Sequence, residues 1–320
     1  MCGLRGAVMR RRPNPLMLRS FLATCLAVIA LSGPALGRDD DEALDIPPGA
    51  GSFRFEAWGG PELRVYTQRP ERVTPGTEII IVLHGMRRNA DDYRDDWRTI
   101  SDACDAVILV PRFDAQRFPG SAAYNLGEAI PGYPEASAFD AVEPLFEHVR
   151  SGLDLEARGY GLFGHSAGAQ FVHRFLMLTR DTHAERSVAA NAGWYTWPDM
   201  MVDWPYGLRG APRPTLSQGE IAAQNLTLLL GDADRDPNAD NLRRTPEAMA
   251  QGESRFRRGI RTAALVDYIA ARLGQGSGWN LATVPDVGHD HTAMTPAAVR
   301  HLLPASHYNR PACQRAIRGD

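Results

Sequence analysis

A short apolar run closes on Gly164-His165-Ser166-Ala167-Gly168 and gives way at once to the helix-forming residues 169–178. Few backbones accept that order. A strand must end, turn sharply on the serine and start a helix with no intervening loop, which exposes the hydroxyl at the end of a sheet. The two outer glycines fit such a turn because a side chain there would meet the neighbouring strand or helix. The same stretch also spells Gly159-x-Gly161-x-x-Gly164, the letters of a dinucleotide-binding loop. That loop needs its glycines after a strand, whereas here they span the strand itself and follow the polar residues 154–158, so nucleotide binding is set aside.

The rest of the chain supplies the layers such a turn needs. Residues 53–58 and 63–67, separated by Gly59-Gly60-Pro61, read as two antiparallel strands. Residues 78–83 form a continuous β-branched run, the pattern of a strand buried on both faces. A helix is expected from Asn89, as N-cap, to about residue 104, then a strand over 106–110 closed by Pro111. Residues 112–136 are a long connection rich in Gly, Pro and aromatics, of the kind that is usually functional or mobile. Further helices are expected over 139–150, 256–273 and 296–303, and strands over 187–192, 225–230 and 280–284. Strands alternating with helices give an α/β fold with a mostly parallel, doubly wound sheet and an antiparallel N-terminal hairpin. Residues 194–224, which hold Trp194, Tyr195 and Trp197 among prolines, read as a cap or pocket-lining excursion.

Composition narrows the chemistry. The chain has no lysine, so all 35 basic residues are arginine. Lysine Schiff bases, phosphate-loop lysines and serine–lysine dyads are therefore excluded. Residues 1–37 place Arg10, Arg11, Arg12 and Arg19 before an apolar run, and Ala35-Leu36-Gly37 suits cleavage, so they read as a signal peptide of bacterial type and the product as secreted or periplasmic, with an uncleaved N-terminal anchor as the alternative. Residues 38–51 are a flexible leader and 52–320 a single domain. Beyond residue 37 the acids outnumber the arginines, which argues against nucleic acid as a partner and leaves no stable membrane insertion after cleavage. Cys104 and Cys313 are the two cysteines outside residues 1–37; they are either one disulfide or two separate buried thiols.

A nucleophilic Ser166 needs a base, an acid to orient it, and donors for the oxyanion. Open parallel sheets present such groups where the strands end at their carboxyl side. The strand over 225–230 ends in Gly231-Asp232-Ala233-Asp234-Arg235-Asp236, and Asp234 is favoured over Asp232 and Asp236 because it falls just beyond the strand edge. The last strand leads to Gly288-His289-Asp290-His291; His289, freed by the preceding glycine, is favoured as base over His291. A His-Asp-His metal site is disfavoured because no third well-spaced ligand set accompanies it, and no cofactor is expected. Backbone N–H groups of Ala167 and Met86 are the expected oxyanion donors, and Trp194, Tyr195 and Trp197 the expected substrate contacts.

On Leu83-His84-Gly85, Arg88-Asn89-Ala90, Tyr93, Val110-Pro111, Gly164-His165-Ser166-Ala167-Gly168, Gly231-x-x-Asp234 and Gly288-His289, the chain resembles the α/β-hydrolase superfamily. Within it, the chain looks like secreted esterases related to polyhydroxybutyrate depolymerases and feruloyl esterases. The resemblance implies cofactor-free carboxylic-ester hydrolysis through an acyl-enzyme. It assigns the nucleophile to Ser166, the acid to Asp234, the base to His289 and the oxyanion donors to Met86 and Ala167. No polymer-binding domain follows, which favours a small or oligomeric ester as substrate. A serine peptidase of the same fold and a noncatalytic binding protein are the alternatives.

Overall fold

The computed structural model describes residue 44 and residues 46–319; the signal peptide and half of the leader expected above lie outside the described residues. Strands β1 (Gly49–Phe55), β2 (Leu63–Arg69), β3 (Glu78–Leu83) and β4 (Ala106–Arg112) are followed by a small hairpin of β5 (Ala129–Ile130) and β6 (Tyr133–Ser137). Strands β7 (Tyr160–His165), β8 (Ala184–Ala190), β9 (Leu226–Gly231) and β10 (Trp279–Val284) complete the set. Eight of these form one sheet in the order β1-β2-β4-β3-β7-β8-β9-β10. Within that sheet only the β1–β2 and β2–β4 pairs are antiparallel; every pair from β4 through β3, β7, β8 and β9 to β10 is parallel. This is the doubly wound architecture expected from the alternating pattern.

Strand β3 shows how the two faces are filled. Its side chains alternate, so Ile79, Ile81 and Leu83 enter one core while Ile80 and Val82 enter the other. The first core is closed by helices Val142–Gly152, Ala167–Leu178 and Arg255–Arg272. The second lies under Ala90–Asp95, Arg98–Cys104, His291–Leu302 and Pro311–Arg318. A strand covered on both faces can be apolar at every position, which is why β3 reads as an unbroken run.

Several boundaries differ from the sequence reading. β1 starts at Gly49, inside the expected leader, and Ile46 is already buried; Trp58 falls in the following turn. The helix expected over 89–104 is two helices broken at Asp96-Trp97, which buries Trp97 completely and turns Asp96 toward His291. Asn89 does occupy the N-cap position, but its side chain donates to Asp92 Oδ2 at 2.7 Å instead of capping the helix. β4 does not stop at Pro111; it continues to Arg112, pairing antiparallel with β2. The closing helix begins at His291, not at Pro296, because Asp290 caps it by accepting from the Thr292 and Ala293 N–H groups at 2.9 and 3.2 Å.

Cys104 and Cys313 are bonded to one another across a sequence separation of 209. The bond pins the C-terminal helix Pro311–Arg318 to the helix Arg98–Cys104.

Candidate active site

Ser166 sits between β7 and the helix Ala167–Leu178 with φ 57° and ψ −112°, a positive-φ conformation that a residue with a side chain adopts only where its surroundings impose it. They do so here by close approach. A Cβ on Gly164 would lie 2.3 Å from the Gly168 carbonyl oxygen, and one on Gly168 would lie 2.0 Å from the Leu83 carbonyl oxygen. The Ser166 N–H donates to the Ala190 carbonyl at 2.9 Å, which fastens the turn to β8.

The expected acid, Asp234, and the expected base, His289, lie just beyond the ends of β9 and β10. His289 Nε2 is 3.0 Å from Ser166 Oγ, and His289 Nδ1 is 2.8 Å from Asp234 Oδ2. The three residues are 123 and 55 positions apart in the chain and meet only because β7, β9 and β10 end together. Asp232 and Asp236 take other roles: Asp232 Oδ1 accepts from the Asp286 N–H and Asp236 Oδ1 from the Asn238 N–H. His291 bonds to Asp96 and stacks on Tyr93 with ring centroids 4.1 Å apart.

Two residues missed by the sequence reading hold this triad in place. Arg255 Nη1 donates to the second carboxylate oxygen of Asp234 at 3.1 Å, both side chains being almost wholly buried. Asn191, at the end of β8, accepts from the Gly231 N–H at 2.8 Å and donates to the Gly288 carbonyl at 2.9 Å. It thus joins the strand end that precedes Asp234 to the residue that precedes His289. Its φ of 47° suits asparagine, which tolerates the left-handed region. Neither residue lies in a recognisable pattern; an asparagine directly after an apolar strand was the one available signal.

The loop after β3 forms the facing wall. A Cβ on Gly85 would lie 2.9 Å from the Tyr93 hydroxyl, so glycine lets Tyr93 close over the loop. His84 is fully buried; its Nδ1 faces the Gly85 carbonyl at 3.0 Å and its Nε2 accepts from the Phe113 N–H at 3.1 Å. Burial, aided by the Arg88 charge, pushes its pKa down to about 3, so the ring is neutral with its proton on Nδ1. Arg88, at φ 60°, donates to the carbonyls of Phe113, Phe118 and Gly120 and stacks over Tyr124. The long connection after β4 is thereby tied to the loop that carries Met86. Ala167 is the first residue of its helix, where a backbone N–H has no acceptor within the helix.

His165 lies beneath the base, 4.7 Å from the His289 ring centroid, with its Nδ1 3.1 Å from the Tyr93 hydroxyl. Burial, and then the neighbouring His289 and His291, hold its pKa well below the ordinary histidine value. A neutral His165 adds no charge against a proton on His289.

These groups open into a cavity of about 510 Å³, lined among others by Met86, Asn125, Gln170, Trp194, Arg243 and Arg255. Of the three aromatics expected to touch substrate, only Trp194 lines it. Tyr195 is fully buried in the core, its backbone bracketed by the Gln251 amide. Trp197 packs against the same core and donates its indole N–H to Thr262. A loop has no periodicity from which to tell which rings face inward.

Comparison with solved structures finds similarity to poly(aspartic acid) hydrolase-1 from Sphingomonas sp. KT-1, with 41% identity, 79% of this chain and 98% of that chain covered, and a TM-score of 0.75. LpqC, a poly(3-hydroxybutyrate) depolymerase from Bordetella parapertussis, is 29% identical over 82% of this chain and 94% of that chain, with a TM-score of 0.72. An S-formylglutathione hydrolase from Agrobacterium tumefaciens shares the fold alone, at 13% identity over 83% of this chain and 97% of that chain and a TM-score of 0.54. No family model matches the chain, and no curated protein does.

Proposed function

The chain belongs to the α/β-hydrolase superfamily, and on that premise we propose that it is a serine hydrolase that cleaves carboxylic esters through an acyl-enzyme on Ser166. The observation that carries this reading is the unbroken line from Asp234 Oδ2 through His289 to Ser166 Oγ, at 2.8 and 3.0 Å. His289 Nε2 takes the Ser166 proton as Oγ attacks the ester carbonyl carbon. The resulting oxyanion is met by the backbone N–H groups of Ala167 and Met86, the first strengthened by the helix it opens. His289 returns the proton to the departing alkoxide, which leaves as an alcohol, and the acyl group stays on Ser166. Water then attacks the acyl-enzyme, giving its proton to His289, and collapse of the second oxyanion releases the carboxylic acid and returns the proton to Ser166. Asp234, fixed by Arg255, holds His289 in the tautomer with its proton on Nδ1 and stabilises the imidazolium.

The test is covalent labelling with a fluorophosphonate probe. Wild-type protein is expected to be labelled once per chain, and Ser166→Ala not at all, with ester hydrolysis falling by at least about a thousandfold. An unlabelled wild type would refute the mechanism.

A second reading has its own support. Arg87 and Arg243 stand exposed at the cavity, and among the described residues neither has a carboxylate partner. Together with the likeness to a poly(aspartic acid) hydrolase, this favours the same acyl transfer applied to an amide in a carboxylate-bearing chain. Comparing release of p-nitrophenol from esters with chain shortening of poly(aspartic acid) separates the two readings.

A further inference from the structure

Arg174 is a fully buried arginine whose counter-charge is missing. It lies one helical turn beyond Gln170, which itself lies one turn beyond Ser166, at the start of the same helix. Its Nε donates to Thr196 Oγ1 at 2.8 Å, while Nη1 reaches the Asn125 backbone and side-chain oxygens at 3.1 and 3.4 Å and the Gln170 backbone and side-chain oxygens at 3.4 and 3.3 Å. Nη2 is buried with no partner, and the guanidinium stacks over the Trp194 ring at 4.1 Å. Among the described residues no carboxylate pairs with it.

A buried charge without a carboxylate is costly unless its hydrogen bonds serve an end. Here they fix two amides that line the cavity. A guanidinium only donates, so the oxygen of each amide must face Arg174. For Asn125 the amide nitrogen then donates to the Ala167 carbonyl at 3.3 Å, bracing the residue after the nucleophile. For Gln170 the consequence is different. Its Nε2 has no partner among the described residues and is not one of the buried orphans, so it is open to the cavity that the residue lines. It stands beside Gly193, where a Cβ would approach to 3.0 Å.

We propose that Gln170 Nε2 donates a hydrogen bond to an oxygen on the acyl part of the substrate, and that Arg174 is the positioning residue that aims it. The ligand class is an acyl chain that carries a carbonyl or carboxylate oxygen a few bonds from the reacting carbon, as opposed to a plain alkyl acid. The acyl part is the part concerned because it remains bonded to Ser166, next to the helix that carries Gln170, while the leaving group departs on the His289 side. The inference rests on the serine-hydrolase reading above and holds for an ester or an amide alike.

The experiment uses two fluorophosphonates of equal length, one with an alkyl chain on phosphorus and one with a methyl ester within that chain. Second-order rates of Ser166 inactivation are measured for the wild type, Gln170→Leu and Gln170→Glu, each checked for its melting temperature. The wild type is expected to prefer the oxygen-bearing reagent by about tenfold, the worth of one uncharged hydrogen bond. Both variants are expected to bring the ratio to within about twofold of unity. Gln170→Glu keeps an acceptor for Arg174 and so controls for the loss of that bond. A general loss of stability would slow both reagents and leave the ratio standing. Labelling of Ser166 with no preference in the wild type, or with a preference that survives both substitutions, overturns this inference alone; absence of labelling overturns it together with the proposed mechanism.

Discussion

Asn191 touches none of the reacting atoms, yet it bonds at once to the peptide before Asp234's turn and to the peptide before His289. Replacing it with alanine strands the buried Gly231 N–H, removes the restraint on Gly288, and puts a residue with a Cβ and no local hydrogen bond at φ 47°. The unsatisfied donor alone costs about 1–3 kcal/mol. Asn191→Ala is therefore expected to lower the melting temperature and to reduce kcat by roughly 10-fold to 100-fold, since small displacements of a catalytic base are expensive. KM should change little, because Asn191 does not line the cavity. Steady-state kinetics beside thermal unfolding would check it; a stability loss with kcat intact would make Asn191 merely structural. Residues of this kind are hard to see in a sequence. Ser166, Asp234 and His289 stand out because a hydroxyl, a carboxylate and an imidazole follow apolar runs in an order that makes chemical sense. Asn191, Arg255 and Arg174 are ordinary polar letters whose meaning lies in what they face.

At the scale of the elements, what decides legibility is how local the cause is. β3 and β7 are readable because burial on both faces needs an unbroken apolar run, a property of the segment itself. The break in the helix after Asp95 comes from elsewhere, as Asp96 turns to meet His291 from a segment 195 residues away. The C-terminal helix Pro311–Arg318 is the extreme case. Only one of its residues is buried, and that residue is Cys313, which is bonded to Cys104. Spacing could not decide between a disulfide and two thiols, because the decision needs the positions of both ends. The bond closes a very long loop, so its removal relaxes mainly the unfolded chain. The double variant Cys104→Ala/Cys313→Ala is expected to lose about 2–4 kcal/mol in urea unfolding. Amide exchange over residues 311–318 should rise sharply, with activity at low temperature retained. Slow exchange there in the double variant would show that packing alone holds the helix.

Across the whole molecule, the alternation of strands and helices gives the layers, but the sheet order and the meeting of three strand ends belong to the assembled fold. The same assembly buries three histidines completely, His84, His165 and His173. Burial is the leading cause in each, and nearby charges add to it: Arg88 for His84, His289 and His291 for His165, Arg174 for His173. His84 is pushed down to about 3 and the other two well below the usual 6.5. The unfolded chain protonates these rings as pH falls through about 6.5, whereas the folded chain keeps them neutral, so the unfolded state binds more protons and is favoured by acid. Their contribution is fully present above pH 6.5 and is lost progressively toward the folded pKa, which for His84 is about 3. At pH 5 the His84 ring then costs about 2 kcal/mol, and His165 and His173 act in the same direction. The melting temperature is therefore expected to be nearly constant from pH 8 to 7 and to fall steeply between pH 6.5 and 5. Calorimetry across that range, with the ring-proton resonances of the three histidines followed by NMR, tests both halves. A melting temperature unchanged down to pH 5, or ring protons that titrate near 6.5 in the folded protein, would contradict it.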